Sequence, residues 1–255
     1  MEQATQEILV VGYPKSGNTW LTRLVAELIS CPVKGFFGKT NNREIAIEGG
    51  DRQSNYVVFK GHHTFDQVCQ KIQHKHLIYV VRDVRDVAIS GANFFKIYPT
   101  KLDKYISKLP NIGNFYYNKC ISEHAKINRM IRIIDNYEKP LPWCKIPWDK
   151  HVIQYLNNGI LVIKYEDLLV NPEAECQRIL SSLGIERSTQ QIAAAIKNQS
   201  FETRKEQFKL SGDNRRYKFL REGKSGGWKQ KLTEEQKNFL TNRFFDTLNA
   251  LEYLD

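Results

Sequence analysis

Only five of the 255 residues are cysteine (Cys31, Cys69, Cys120, Cys144 and Cys176), an odd count scattered along the chain. No C-x-x-C occurs and no cysteine pairs with a histidine at metal-binding spacing, which excludes a zinc ribbon and a disulfide framework. Unpatterned thiols of this kind predict a reduced, cytoplasmic protein. No apolar run nears the length of a membrane span, and the opening MEQATQE is polar and acidic, unlike a signal peptide. Internal repeats and low-complexity stretches are also missing. Acidic residues are in deficit, 28 against 38 Lys and Arg.

The resulting charge of +10 predicts an anionic partner without choosing its class. The excess is uneven: residues 202–231 hold ten Lys/Arg and four Asp/Glu, a net of +6. Hydrophobic residues at 41% and charged residues at 26% are ordinary for a soluble globular chain of one domain.

Short apolar runs alternate with helical patterns. ILVVG (8–12), YVVFK (56–60), HLIYVVR (76–82) and NGILVIKYED (158–167) read as strands. Helical segments are expected at 18–30, about 64–74, about 84–95, 171–184 and 233–248, the fourth capped by Asn171 with Pro172 and Gly184, the last opened by a Thr233–Gln236 capping box. This alternation predicts an α/β fold: a mainly parallel sheet with helices on both faces and functional residues just after the strands. Residues 99–147 interrupt it with five prolines and a helical stretch near 114–136, and are expected to form an inserted helical cap within a single domain.

The most informative stretch is VVGYPKSGNTWLTRL (10–24). A strand, a glycine loop and a helix follow one another, and backbone N–H groups from about Ser16 to Thr19 face one concavity at a helix start, which favours an anion. Gly12 and Gly17 allow the tight path. A nucleoside-triphosphate loop places lysine directly after the second glycine. Here Asn18 and Thr19 stand there, and the lysine is Lys15, in mid-loop, placed to neutralise a bond beside a phosphate rather than a chain of further phosphates. Asp83, Glu166 and Asp167 follow basic or aromatic residues and make poor metal acids, so chemistry without a metal is expected.

These motifs resemble the cytosolic sulfotransferases that use 3′-phosphoadenosine 5′-phosphosulfate (PAPS). YPKSGNTW (13–20) resembles their 5′-phosphosulfate loop, YVVRDVRDVAIS their 3′-phosphate motif with Arg82 and Ser90, and VFKGHH their K-x-H motif with Lys60 and His62. Tyr165-Glu166-Asp167 and REGKSGGWK (221–229) complete a series of five in order from residue 8 to 229. The resemblance implies a P-loop-like three-layer fold and sulfuryl transfer to a hydroxyl or amine of a small molecule, with adenosine 3′,5′-bisphosphate (PAP) as product. The short linker between loop and K-x-H motif resembles bacterial tailoring enzymes and points to a secondary-metabolite acceptor.

The resemblance also implies roles. Lys15 neutralises the leaving 5′-phosphate oxygen, while Ser16, Gly17, Asn18, Thr19 and Trp20 hold the loop's ligand. His62 takes the acceptor's proton, with His63 a rival one residue away, and Lys60 shares the alternating face with His62. Arg82, Ser90, Arg221 and Gly223 clamp the 3′-phosphate. Trp20, Tyr165 and Phe201, with Ser200 and Gln199 adjacent, are candidates to pack on adenine, with core packing the alternative for each and an equal one for Phe201. Phe94, Phe95, Trp143, Trp148 and His151 are assigned to the acceptor side or the cap wall.

Three departures from the family pattern stand out: Asn18 for a usual Thr, Glu222 beside the 3′-phosphate position, and Gly227 before Trp228. No dimer motif is visible, which leaves oligomeric state open. The competing expectations are a P-loop kinase or triphosphatase, which needs magnesium and ATP, and a nucleic-acid binder using the +6 stretch. The motif series favours a small-molecule sulfotransferase with neither nucleic-acid nor membrane partner.

Overall fold

The computed structural model describes residues 5–38, 48–70, 75–95, 98, 100–106, 108–109, 112–136, 145–219 and 223–254. The chain divides into two compact units. The first joins Met1–Val81 to Tyr155–Ser225, and the second joins Arg82–Gln154 to Gly226–Asp255.

The first unit carries the sheet. Its strands are β1 (Gln6–Gly12), β2 (Val33–Phe36), β3 (Tyr56–Gly61), β4 (Lys75–Val81) and β5 (Leu161–Lys164), all parallel in the order β2-β3-β1-β4-β5. Four of the five coincide with the apolar runs. β2, VKGF, escapes periodicity because it has four residues, one a lysine and one a glycine. Parallel strands covered on both faces are apolar throughout. Ile8, Val10, Val58, Ile78, Val80 and Ile163 pack in one cluster with Leu21, Leu24 and Val25 of helix α1 (Asn18–Leu28). Tyr79, of opposite parity, stacks on Tyr155 at 4.2 Å.

Local punctuation in the sequence is realised. Asn171 Oδ1 accepts from Ala174 N–H, Pro172 opens the helix Pro172–Leu183, and Gly184 ends it at φ 65°. Ser188 and Gln191 form a capping box on the helix Thr189–Asn198, as do Thr64 and Gln67 on Phe65–Cys69.

In the second unit the helix Val84–Phe94 follows the expectation and the stretch 114–136 does not. It breaks into Gly113–Phe115, a π-helical turn Tyr116–Cys120 and Glu123–Asn136. The break has a local cause: buried Ile121 is extended, and Ser122 Oγ accepts from Ala125 N–H to start the next helix. The Thr233–Gln236 box forms, but its helix stops at Arg243 and a second one, Phe245–Ala250, follows. Trp148, assigned to a cap wall, is fully buried against Phe244, and His151 is fully buried too. Trp143 and most of the cap's prolines lie outside the described residues. Among the described residues no helix is long and apolar enough to cross a membrane.

Candidate active site

The register of the sheet assembles the first group of residues. Val10 pairs with Lys60, Val11 with Gly61, and Gly12 with Val80, so the glycine loop leaves β1 beside the end of β3. Gly12 is required by proximity: a Cβ there would meet the Val80 carbonyl oxygen at 2.3 Å. The Gly12 carbonyl accepts from His62 Nδ1 at 2.7 Å and from Asn18 Nδ2 at 3.0 Å. A carbonyl only accepts, so this contact places a proton on Nδ1 and, in the neutral ring, the lone pair on Nε2.

Asn18 Nδ2 also donates to the Gly61 carbonyl at 3.1 Å. Both amide hydrogens are thereby engaged, and the side chain ties the ends of β1 and β3 together instead of reaching an anion. The residue's remaining donor is its backbone N–H. This is a structural reason for asparagine in the place of threonine.

The loop itself runs through left-handed backbone at Lys15 (φ 76°) and Gly17 (φ 99°). Ser16 N–H closes a turn onto the Tyr13 carbonyl at 3.2 Å and is not presented to the concavity, contrary to expectation. Helix α1 has no capping side chain, and Leu21 N–H donates to the Gly17 carbonyl. The N–H groups of Asn18, Thr19 and Trp20 therefore have no acceptor within the helix. Ser16 Oγ is buried with no hydrogen-bond partner among the described residues. An uncapped helix start beside an unpaired buried hydroxyl fits a phosphate or sulfate group.

Lys60 and His62 are both buried and flank Phe36 of β2: Lys60 Nζ lies 4.6 Å from the ring centroid, and the His62 ring 5.8 Å away. Lys60 Nζ also donates to Thr19 Oγ1 at 2.9 Å, linking β3 to the start of α1. His63 points elsewhere, its ring 5.7 Å from Phe37 and its carbonyl accepting from Tyr155 OH at 2.8 Å. Just past the end of β3 the two neighbouring histidines thus have different surroundings. Phe36 was missed in the sequence because β2 was missed.

Around the loop, Tyr165 packs over Gly17, where a Cβ would meet its Cδ2 at 2.6 Å, and the Trp20 ring stands edge-on to Tyr165 at 5.6 Å. Trp20 Nε1 donates to the Gln199 carbonyl at 2.9 Å. Ser200 caps the helix Phe201–Leu210 and donates to Thr203 Oγ1 at 2.9 Å, so its hydroxyl is occupied structurally. Gly223, at φ 60°, lies against Phe201, 2.6 Å from Cδ2 to the position of an added Cβ. Trp20, Tyr165 and Gly17 therefore stand in contact, as do Phe201 and Gly223, although the sequence singled these residues out for separate roles. Arg221 and Glu222 fall outside the described residues.

The second unit holds Arg82 and Ser90. Ser90 is half-buried on the helix Val84–Phe94, and Arg82 Nη2 lies 3.6 Å from Asp86 Oδ2. Asp86, unnoticed in the sequence, accepts from Gly226 N–H at 2.7 Å and Trp228 N–H at 3.0 Å. A Cβ at Gly227 would stand 3.7 Å from Asp86 Oδ1, so an aspartate there would add a second carboxylate beside the first. Asp83, weighed as a metal acid, caps the helix through Arg85 N–H and is forked by the Arg85 guanidinium at 2.7–3.0 Å. Burial pushes its carboxyl up, against the pull of Arg85.

Comparison with known proteins supplies the remaining evidence. Mouse sulfotransferase 1 family member D1 is 25% identical over 92% of this chain and 81% of its own length. The crystal structure of mouse sulfotransferase SULT7A1 complexed with PAP superposes with a TM-score of 0.65, at 19% identity over 96% of this chain and 84% of that one. A retinol dehydratase in complex with androsterone and PAP gives 0.62, at 17% identity over 97% and 82%. These likenesses show a shared P-loop-like α/β fold. The sulfotransferase domain model matches residues 5–251, nearly the whole sequence, and the chain belongs to that family.

Proposed function

We propose that this sulfotransferase moves the sulfuryl group of PAPS onto a hydroxyl, or an amine, of a small molecule, with His62 as general base. The reading is supported above all by the 2.7 Å contact between His62 Nδ1 and the Gly12 carbonyl. It orients the ring from the anion loop's own first residue and leaves Nε2 as the basic nitrogen.

In the proposed step the acceptor oxygen attacks sulfur, its proton passes to His62 Nε2, and the bond from sulfur to the 5′-phosphate oxygen breaks in line. Lys15 neutralises the departing oxygen, and Lys60, anchored on Thr19, offsets charge on the sulfuryl oxygens. The backbone N–H groups at the start of α1 hold the 5′-phosphate, Trp20, Tyr165 and Phe201 pack on adenine, and Ser16, Gly17, Asn18, Thr19 and Ser200 shape the loop and its rim. Arg82, Ser90, Arg221 and Gly223 are assigned to the 3′-phosphate. As in phosphoryl transfer, the protein's contribution is positioning and charge compensation. No metal is assigned a part.

The similar retinol dehydratase structure is a complex with androsterone and PAP, which supports a small organic acceptor. We take that acceptor to be a secondary-metabolite hydroxyl, and place the protein in the cytoplasm without nucleic-acid or membrane partners. Residues 1–255 are read as one catalytic domain, with 99–147 as its cap and 202–231 as its donor-binding segment. The test is an acceptor screen with radiolabelled PAPS and chelator present, scored by PAP release. Turnover with a hydroxylated acceptor supports the reading. Magnesium-dependent ATP consumption without any heat on PAP titration would overturn it.

A further inference from the structure

The first unit contains a cavity lined by none of the residues individually assigned to catalysis or donor binding, although Arg204, Phe208 and Arg216 belong to the 202–231 segment read as donor-binding and Gln199, next to Ser200, is also in its wall. Its walls include Arg23, Arg52, Arg204, Arg216, Glu48 and Phe208. Arg23 comes from α1, on the turn after Trp20, and Arg204 and Phe208 from the helix Phe201–Leu210. Arg216 comes from the short helix Asn214–Phe219.

Among the described residues counter-charge is short here. Glu48 Oε1 takes Arg23 at 2.8 Å and Arg204 at 3.2 Å, so two guanidinium groups share one carboxylate. Arg52 is matched by Glu27 at 2.6 Å, and Arg216 by Asp213 at 3.3 Å. Among the described residues one positive charge is left over beside Glu48. Arg23 is only 6% exposed, and its Nε, like that of Arg204, has no hydrogen-bond partner among the described residues. Arg23, Arg204 and Arg216 all lie over the Phe208 ring, at 5.5, 4.8 and 5.6 Å from its centroid. Ring faces soften the repulsion between neighbouring cations but accept no strong hydrogen bond.

Burial depresses the Arg23 pKa, and the nearby Arg204 and Arg216 depress it further, while Glu48 opposes them. A buried guanidinium with an unmet N–H is costly unless an anion completes it. Planar, forked donors of this kind suit oxyanions.

We propose that this cavity is a second anion site, separate from the sulfuryl-transfer centre, that takes a small oxyanion group of the phosphate or sulfate type between Arg23, Arg204 and Arg216. The ion supplies the acceptors that Glu48 alone cannot and fixes the helices Phe201–Leu210 and Asn214–Phe219 against α1. Such a ligand is either the free ion or the phosphate of a small organic phosphomonoester.

The test is calorimetric titration of the full chain with inorganic phosphate at constant ionic strength, with PAP present so that the donor loop is filled. Glycerol 3-phosphate serves as the second probe and chloride as the control. Saturable phosphate uptake is expected, weakened about tenfold in Arg204→Gln and in the more exposed Arg216→Gln. It is expected to strengthen several-fold in Glu48→Gln, where the competing carboxylate is gone. The Glu48→Gln result separates this site from the donor loop even if PAP does not bind. Tighter glycerol 3-phosphate binding identifies an organic occupant, and equal binding the free ion. Equal phosphate affinity in the parent, Arg216→Gln and Glu48→Gln proteins, or a response matched by chloride, overturns the proposal.

Discussion

His62 and Gly12 are fifty residues apart in sequence and 2.7 Å apart through Nδ1 and the carbonyl oxygen. The proposed base is therefore held by the strand that begins the anion loop, so a shift of that loop is expected to move the imidazole with it. Replacing His62 with alanine should lower kcat by about 10²- to 10⁴-fold, the usual worth of a general base. PAP affinity by calorimetry should stay near the parent value. Loss of PAP binding in a folded His62→Ala protein would show a structural role instead.

Lys60 Nζ is held between Thr19 Oγ1 and the Phe36 ring. Lys60→Met keeps the length of the side chain and removes its charge. The expected loss is about a hundredfold in kcat, by analogy with deleting a transition-state donor, with little change in the KM for PAPS. A KM effect alone would assign Lys60 to ground-state binding.

Gly17 combines φ 99° with a ring 2.6 Å from any added Cβ. Alanine there costs about 1–2 kcal/mol from the left-handed backbone alone. Displacement of Tyr165 adds to this and should weaken PAP binding. Thermal melting and PAP titration of Gly17→Ala check both effects, and Tyr165→Ala in the same background should restore part of the lost stability.

Burial raises the thiols of Cys31 and Cys176 to about 12, whereas Cys69 and Cys120 are exposed. Iodoacetamide at neutral pH should label Cys69 and Cys120 within minutes and leave Cys31 and Cys176 unmodified until the protein is denatured. Peptide mass spectrometry reads the order directly.

Glu27 is an acid-sensitive carboxylate. Burial raises its pKa, but hydrogen bonds from Asn198, Arg52 and Gln199 outweigh this and hold it below its ordinary 4.5. A folded pKa below the unfolded one gives stability that is present above pH 4.5 and lost as pH falls through the folded value. Glu27→Gln should therefore lower the melting temperature at pH 7 and narrow the difference from the parent as the pH drops below about 4. A difference independent of pH would mean the ionised form has no advantage.

Residues 8–12 and 56–59 declare themselves as strands because a parallel strand covered on both faces is apolar along its length, whatever its partners. Asn171, Pro172, Gly184, Thr233 and Gln236 declare helix ends because capping is settled within four residues. The left-handed Gly17 and the K-x-H alternation are legible for the same reason: both depend on the local backbone.

Tertiary structure decided the rest. β2 is too short to show a period, and it became a strand only by pairing with β3, which brought Phe36 between Lys60 and His62. The tautomer of His62 and the diversion of the Asn18 amide depend on one carbonyl, Gly12, whose donors are set by strand register. Asp86 met the Gly226 and Trp228 amides across 140 residues, and Arg23 met Arg204 across 181. Such encounters follow from how elements pack, and no window of sequence contains both partners.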